Sequence, residues 1–117
     1  MRALPVTCPV NVAAIDERDP NAGGASHKYA IQFGGPKDTC IIQFQHGARG
    51  VEGSTPGVFE DALLAILEDR MDGFQTGPFA CVENANARAA ISTARQALND
   101  RVAKRMAANV LGVNEKH

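Results

Sequence analysis

The chain has 117 residues and a mass of 12.4 kDa, which predicts a single domain with a small core. Its 12 Lys and Arg against 13 Asp and Glu give a formal net charge of −1, which argues against general DNA or RNA binding. No apolar run reaches the ~18 residues that a membrane span needs, and no signal peptide is evident. A chain this small leaves little room for an internal cleft, so a sizeable pocket is expected between subunits.

Short β-like segments separated by turn residues make up the N-terminal part of the chain. Residues 10–15, 27–33 and 40–45 contain the β-branched and aromatic side chains that favour strands. Residues 19–24 and 34–38 are rich in the Gly, Pro, Asn and Asp of turns. The last two segments, with residues 34–38 between them, therefore predict a β-hairpin within a small antiparallel sheet.

A first helix is predicted to follow the glycine-dense connector at residues 46–57. Thr55 has the side chain of an N-cap, Pro56 suits the first helical position, and acidic residues come next. Gly73 marks the predicted end of this helix, about four turns later. Its apolar stripe at helical spacing consists of Phe59, Leu63, Leu64, Ile66, Leu67 and Met71.

A second and longer helix is predicted to begin near Thr76–Pro78, with Pro78 at an early helical position, and to run to about Ala108, ahead of Gly112. Its many alanines favour helix, and a length of about 30 residues corresponds to ~45 Å, more than a small core requires. The overhang is expected to contact another copy of the chain. The predicted apolar row of this helix consists of Ile91, Ala94, Leu98 and Val102.

These elements predict an α+β fold, with a small N-terminal antiparallel β-sheet followed by a C-terminal two-helix hairpin. The β-rich part is assigned to residues 1–50 and the helical hairpin to residues 51–112, within one compact domain overall.

The sequence contains no recognisable catalytic or metal-binding constellation. His27, His46 and His117 are scattered along the chain, and the acidic turn that contains Asp16 and Asp19 is expected to be solvated. No CxxC pair and no Cys/His metal spacing is present, so a non-enzyme without cofactor or metal is predicted. Reduced thiols are expected for the three cysteines, Cys8, Cys40 and Cys81.

Five polar or aromatic residues are candidates for ligand binding, and each also has a purely structural explanation. Phe74, at the break between the helices, is either a hydrophobic clamp or a stacking platform for a planar base. Asn84 is either a surface amide or a hydrogen-bonding partner of a ligand. Arg101 and Arg105 share one helix face, which is either solvated or able to bind phosphates. Arg49 in the connector is either a loop arginine or an anion contact.

Four motifs between residues 40 and 106 resemble one family of phage proteins. They are FQHG before the first helix, ALLAILEDR within it, GFQTGPFACVEN at the junction, and ALNDRVAKR in the second helix. Together they resemble the helical-hairpin family of phage signal sponges. The β-rich region ahead of the hairpin favours its type-one Thoeris anti-defence branch over the type-two anti-CBASS branch, which is mostly hairpin.

The resemblance implies a function in the cytoplasm of an infected bacterial host. Such proteins bind the glycocyclic ADP-ribose messenger of Thoeris defence tightly and do not cleave it. Some relatives also bind cyclic di- and trinucleotides at a separate site, which would block CBASS. The family assembles as dimers, and often as hexamers built from three dimers.

The resemblance also implies a role for each candidate residue. Phe74 is similar to the family's base-stacking phenylalanine, and Asn84 to its ligand-contacting asparagine. Arg101 and Arg105 resemble two arginines that reach the ligand's phosphates from the neighbouring subunit. Arg49 resembles a connector arginine, although GARGVEGSTPG departs here from the family's G-P-x-x-x-x-G-x-N-G pattern.

The spacing along the second helix agrees with a site shared between subunits. Asn84 and Arg101 are 17 residues apart, which is ~25 Å along a helix and too far for one nucleotide-sized ligand. Two copies with antiparallel helices would bring both ends to one ligand and form two equal sites.

Two other functions remain open. A helical-hairpin dimerisation module without a small ligand predicts that Phe74 is buried within its own subunit. An enzyme that degrades the messenger is the third candidate, and intact ligand recovered after denaturation would exclude it.

Overall fold

The structure is a computed structural model that describes residues 1–35 and 37–110, with side chains up to residue 107. Four antiparallel strands precede two helices, which confirms the predicted α+β fold class. The chain forms two compact units, here called the sheet unit (Met1–Phe59) and the hairpin unit (from Glu60 onwards). Outside the described residues lie Pro36, Gly112 and His117, and with Gly112 the predicted end of the hairpin domain. The predicted domain limits therefore stay predictions.

The sheet is a meander in which each strand pairs with its neighbour in sequence. The predicted hairpin is confirmed, because Lys28 pairs with Gln43 and Gln32 with Thr39. The first strand was not predicted, since three residues are too few to show an alternating pattern. The strands are β1 (Arg2–Leu4), β2 (Asn11–Ala14), β3 (Lys28–Gln32) and β4 (Thr39–Gln43).

A small cluster on the sheet forms the buried part of this unit. Ala14 is fully buried, and it lies opposite Tyr29, whose ring packs edge-to-face against Phe44 at 5.7 Å between centroids. The buried polar residues Ser26 and His27 come just before β3. Ala14 is the only buried apolar residue in the part of the chain that the structure describes, so a single copy has very little core for its size.

The first helix, α1, spans Glu60–Gln75, so the predicted start at Thr55 and Pro56 is wrong. Thr55 instead exchanges two backbone hydrogen bonds with His46, at 2.8 and 2.9 Å. Val58 donates its N–H to Gln43 and accepts one from Gln45, so residues 55–58 run beside the end of β4. These backbone hydrogen bonds outweigh the local N-cap signal, so the helix begins at Glu60, four residues after Pro56.

The helix also continues past Gly73, which was the predicted end. The carbonyl of Gly73 accepts both the backbone N–H and the hydroxyl of Thr76, and this tight bonding ends α1 at Gln75. The predicted apolar stripe lies only partly towards α2, because Ile66 and Leu67 are exposed.

The second helix, α2, spans Val82–Val110, so it starts four to six residues after the predicted start near Thr76–Pro78. Cys81 occupies the N-cap position, where its Sγ accepts the N–H of Asn84 at 3.4 Å. Ala94 and Val102, from the predicted apolar row, are exposed. The half-buried side chains of α2 are Asn84, Ala87, Arg88, Ile91, Arg95 and Leu98. No helix within the described residues is long and apolar enough to cross a membrane.

Two arginines of α2 hold the helices together. Arg95 bonds Asp61 at 2.9 Å and Glu68 at 3.0 Å, while Arg88 bonds Asp72 at 2.9 Å and lies 3.5 Å from Glu68. The hydrogen bond from Arg95 lowers the pKa of Asp61, and the acidic partners raise the pKa of both arginines. None of the side chains of α1 is buried, but Leu63, Leu64 and Met71 are half-buried, so apolar side chains accompany these ion pairs in the hairpin.

Candidate functional site

The turn between the helices is fixed by two amide side chains. Gln75, the last residue of α1, bonds the backbone of Cys81 twice: its Oε1 accepts at 3.0 Å and its Nε2 donates at 3.1 Å. Asn84, in the first turn of α2, donates its Nδ2 to the carbonyl of Phe79 at 3.1 Å. These bonds order residues 76–81 without any apolar core beneath them. The side-chain carbonyl of Asn84 has no hydrogen-bond partner among the described residues.

Phe74 lies in the last turn of α1, at the same end of the hairpin as Asn84. Its side chain is half-buried, and the guanidinium carbon of Arg70 lies 5.4 Å from the ring centroid, within cation–π range. The ring is therefore only partly enclosed by the described residues of its own chain. Arg70 was not among the predicted site residues, although it ends the ALLAILEDR motif.

Arg101 and Arg105 lie towards the far end of α2, where both are exposed. Arg95 already bonds Asp61 in the first turn of α1, so the arginine pair lies beyond the stretch of α2 that α1 covers. The single chain does not bring these arginines to Phe74 and Asn84. Their predicted role in one shared site stays a prediction.

Arg49 is exposed in the connector of the sheet unit and lines a surface hollow of about 500 Å³. Three glycines of this connector have positive φ angles: +91° at Gly47, +78° at Gly50 and +88° at Gly53. Residues with a side chain rarely adopt such angles, which here curl the backbone. The other residues that line the hollow are Gln45, Gly50, Val51, Ser54, Pro56, Gly57 and Phe59.

Two histidines that the sequence analysis treated as scattered lie face to face in the sheet unit. The rings of His27 and His46 stack with centroids 4.1 Å apart and planes 7° from parallel. Nε2 of His46 lies 2.8 Å from Oδ2 of Asp19. The strand register could have predicted that the two histidines are neighbours. The pairing of β3 with β4 continues to His27 opposite Phe44, which makes His46 the diagonal neighbour of His27.

The acidic turn after β2 is more ordered than the solvated loop predicted for it. Burial raises the pKa of Asp16, but the backbone N–H groups of His27 and Lys28 donate to its carboxylate, and the net pKa is lowered. The hydrogen bond from His46, with one from the backbone N–H of Asn21, lowers the pKa of Asp19. Both carboxylates therefore connect the turn to β3 and to the connector.

Comparison with known proteins gives one informative match. No known family model matches the chain. The chain is 34% identical, over 99 residues, to Thoeris anti-defense 1 from Bacillus phage SBSphiJ7. The match covers 80% of this chain but only 65% of the length of that relative. The chain is therefore a relative of the Thoeris anti-defence proteins, as its motifs predicted.

Proposed function

We propose that this protein is a phage anti-defence sponge, which binds a glycocyclic ADP-ribose messenger and holds it without cleaving it. The observation that carries the proposal is the relationship to a phage protein named for opposing Thoeris defence. By analogy, the chain would act in the cytoplasm of an infected bacterium. It would remove the signal before the host effector can respond.

The junction end of the hairpin has the chemistry to bind one part of such a ligand. The half-buried ring of Phe74 keeps an accessible part on which an adenine base can stack. The side-chain carbonyl of Asn84 can accept a hydrogen bond from the base or the ribose. Arg70, 5.4 Å from the Phe74 ring centroid, adds a positive charge close to this surface.

A second copy of the chain would supply the phosphate-binding groups. Asn84 and Arg101 are ~25 Å apart along α2, so Arg101 and Arg105 would reach the ligand from the partner subunit. Two antiparallel copies would create two such sites around a two-fold axis. Guanidinium groups bind phosphates with paired hydrogen bonds, which suits the pyrophosphate of the ligand.

The scarcity of buried apolar residues supports this self-association. The hairpin exposes large apolar side chains that a monomer would leave in water, and a homodimer, or a hexamer of three dimers, would cover part of them. The exposed fractions are 57% for Ile66, 42% for Leu67, 52% for Val102 and 62% for Met106.

The connector hollow favours a second ligand class at a separate site. Its volume of about 500 Å³, its arginine and its curled glycine backbone suit a phosphate-containing ligand. Cyclic di- or trinucleotides are the candidates there, with Arg49 as the contact. Binding at this site would extend the sponge activity to CBASS signals.

A structural dimerisation module without a small ligand is the alternative. The exposed apolar side chains of α1 and α2 favour it as much as they favour an oligomeric sponge. The two functions differ in what they predict for added messenger, since only a sponge removes it from solution. Neither function requires a catalytic group, so the proposal is a non-enzyme.

The test is a capture-and-release experiment. The protein is mixed with a glycocyclic ADP-ribose and filtered, and the filtrate is measured before and after heat denaturation. A sponge depletes the messenger from the first filtrate and returns it intact in the second. Recovery of linear ADP-ribose would show an enzyme, and no depletion at all would leave the dimerisation module.

Phe74→Ala and Phe33→Ala form a matched pair for this experiment. Phe33 is also a phenylalanine, 60% exposed, but it belongs to the sheet unit. Loss of base stacking costs ~1–3 kcal/mol, so Phe74→Ala should weaken capture by about one to two decades while Phe33→Ala captures normally. If Phe74→Ala unfolds or changes the oligomeric state instead, Phe74 is a structural clamp.

A further inference from the structure

We propose that Asp16, His27 and His46 form a binding site for a divalent transition-metal ion, with Zn²⁺ as the best match. Each residue offers one ligand atom, and these three atoms lie within 4.8 Å of one another. Two imidazole nitrogens with one carboxylate oxygen are a common ligand set for Zn²⁺, with Co²⁺ and Ni²⁺ as close substitutes. Nothing in the proposed sponge function requires this site, so the two proposals stand or fall separately.

A buried and unsatisfied nitrogen is the second observation that points to a ligand. His27 is only 8% exposed, and its Nδ1 is buried without a hydrogen-bond partner. It is the only such side-chain atom in the part of the chain that the structure describes. Buried polar atoms almost always have a partner, because leaving one without a hydrogen bond destabilises the fold. A metal ion would satisfy this nitrogen.

His46 already has the outer partner that metal-binding histidines usually have. Its Nε2 is 2.8 Å from Oδ2 of Asp19. A carboxylate in this position fixes the tautomer of the ring and increases the basicity of the other nitrogen. We therefore assign Nδ1 of His46 to the ion and Asp19 to the positioning of His46.

Asp16 would complete the ligand set with a carboxylate that is already held in place. Both of its oxygens lie 3.0 Å from the N–H of His27, and Oδ1 also accepts the N–H of Lys28. Each carboxylate oxygen has more than one lone-pair direction, so these bonds leave room for an ion. The ion would then connect the end of β2, the start of β3 and the connector, which are distant along the chain.

The stacked rings define what must move when the ion binds. An ion lies in the plane of each imidazole that binds it, and two parallel rings with centroids 4.1 Å apart cannot share such an ion between them. One ring has to turn. The side chains of His46 and Asp19 are each 33% exposed and can turn together with their contact kept, whereas the buried His27 is enclosed. Ion binding should therefore separate the stacked rings and shift the ring-proton NMR signals of both histidines.

The test uses Co²⁺ as a spectroscopic probe of the full chain. Exposed thiols also bind such ions, so Cys8, Cys40 and Cys81 are replaced by Ser, and His117→Ala removes the remaining histidine. This background chain is stripped with a chelator and titrated with Co²⁺. We expect a d–d absorption band that saturates at one ion per chain, a band that Zn²⁺ abolishes, and a higher Tm with either ion.

Three further variants in this background identify the ligands. His46→Gln should weaken Co²⁺ binding at least tenfold, and Asp19→Asn by about 10–100-fold, as found for outer partners of metal ligands. Asp38→Asn, which removes an exposed carboxylate of the β3–β4 turn, should bind Co²⁺ normally. His46 is accessible enough for its variant to fold if a variant at His27 does not.

Two results would overturn the proposal. One is a background chain that shows neither the Co²⁺ band nor a rise in Tm. The other is a His46→Gln chain that binds Co²⁺ as tightly as the background. Either result would assign the histidine stack to the packing of the sheet unit alone.

Discussion

The sheet unit and the hairpin unit are each stabilised internally by a different kind of contact. In the sheet unit these contacts are mainly between backbone atoms: each strand pairs with its neighbour in sequence, and residues 55–58 run beside the end of β4. A side chain at Gly57 would collide with the backbone of Gln43 and Phe44. In the hairpin unit two arginines of α2 form ion pairs with acidic residues of α1, beside half-buried apolar side chains, and a Cβ at Gly73 would meet nothing within 4 Å.

This difference indicates where the protein tolerates change. Close backbone packing at Gly57 makes this part of the sheet unit sensitive to the addition of a single methyl group. The hairpin unit has no fully buried residue in α1 and exposes several large apolar side chains, so it has little buried core of its own.

The largest effect is expected when two inactive variants of the hairpin unit are mixed. One variant lacks Phe74 and Asn84, and the other lacks Arg101 and Arg105. If the ligand is shared between antiparallel copies, each homodimer is defective at both of its sites. A mixed dimer has both lesions in one site and leaves the other site native. Half of the mixed-dimer sites should then bind glycocyclic ADP-ribose with normal affinity, measured by calorimetry after unfolding and re-annealing.

Mass spectrometry of the re-annealed sample serves as the control, because it shows whether mixed dimers have formed. Mixed dimers without restored binding would mean that the arginines act within their own chain or not at all. The hairpin would then be complete as a single copy, and the comparison drawn above would be wrong.

In the sheet unit, Gly57→Ala should destabilise the fold by about 1–3 kcal/mol, the usual cost of overpacking, or more because backbone atoms cannot move aside. In a small domain each kcal/mol lowers Tm by about 4–8 °C. Gly35→Ala is the matched control, since a Cβ there meets nothing within 4 Å. Equal Tm values for the two variants would show that residues 55–58 are not packed against β4.

Acid should weaken the sheet unit through Asp16. Its folded pKa is lowered, so its contribution to stability is complete above its unfolded value of about 3.9 and is lost as the pH falls through the folded value. Urea unfolding between about pH 5 and pH 2 should therefore show a smaller loss of stability for Asp16→Asn than for the unchanged chain. Parallel pH curves for the Asp16→Asn variant and the unchanged chain would contradict this role of Asp16.

The smallest effect is a gain in the hairpin unit. Gly73 lies inside α1, and alanine is favoured over glycine within a helix by roughly 0.5–1 kcal/mol. Gly73→Ala should therefore raise Tm slightly, as measured by circular dichroism. A fall in Tm would mean that a neighbour, in this chain or in a second copy, packs closely against this glycine.

The sequence predicted the parts of the fold that depend on neighbours along the chain. The β3–β4 hairpin followed from its turn residues, and the acidic first turn of α1 at Glu60 and Asp61 is as expected. The start of α1 was placed too early, because the backbone bonds of Thr55 and Val58 with the end of β4 outweigh a local capping signal. Such long-range competition is not visible in residue propensities.

The candidate site was predictable to a similar extent. Phe74 and Asn84 do lie at one end of the hairpin, because each belongs to a helix that meets the same turn. The contacts of Gln75 and Asn84 with the turn backbone were not foreseen, since either amide could equally have faced water. Whether Arg101 and Arg105 join this site depends on a second chain, which one sequence cannot position.

The consecutive strand order also has a consequence for how the protein is made. Each strand pairs with the strand that precedes or follows it in the sequence, so only short loops have to close. The sheet should therefore form quickly. The 51 residues from Glu60 to Val110 take several seconds to translate at about 5–20 residues per second. We expect the sheet unit to finish folding while the ribosome is still adding α2. A newly synthesised chain would then carry a folded sheet before its long helix can meet a second copy.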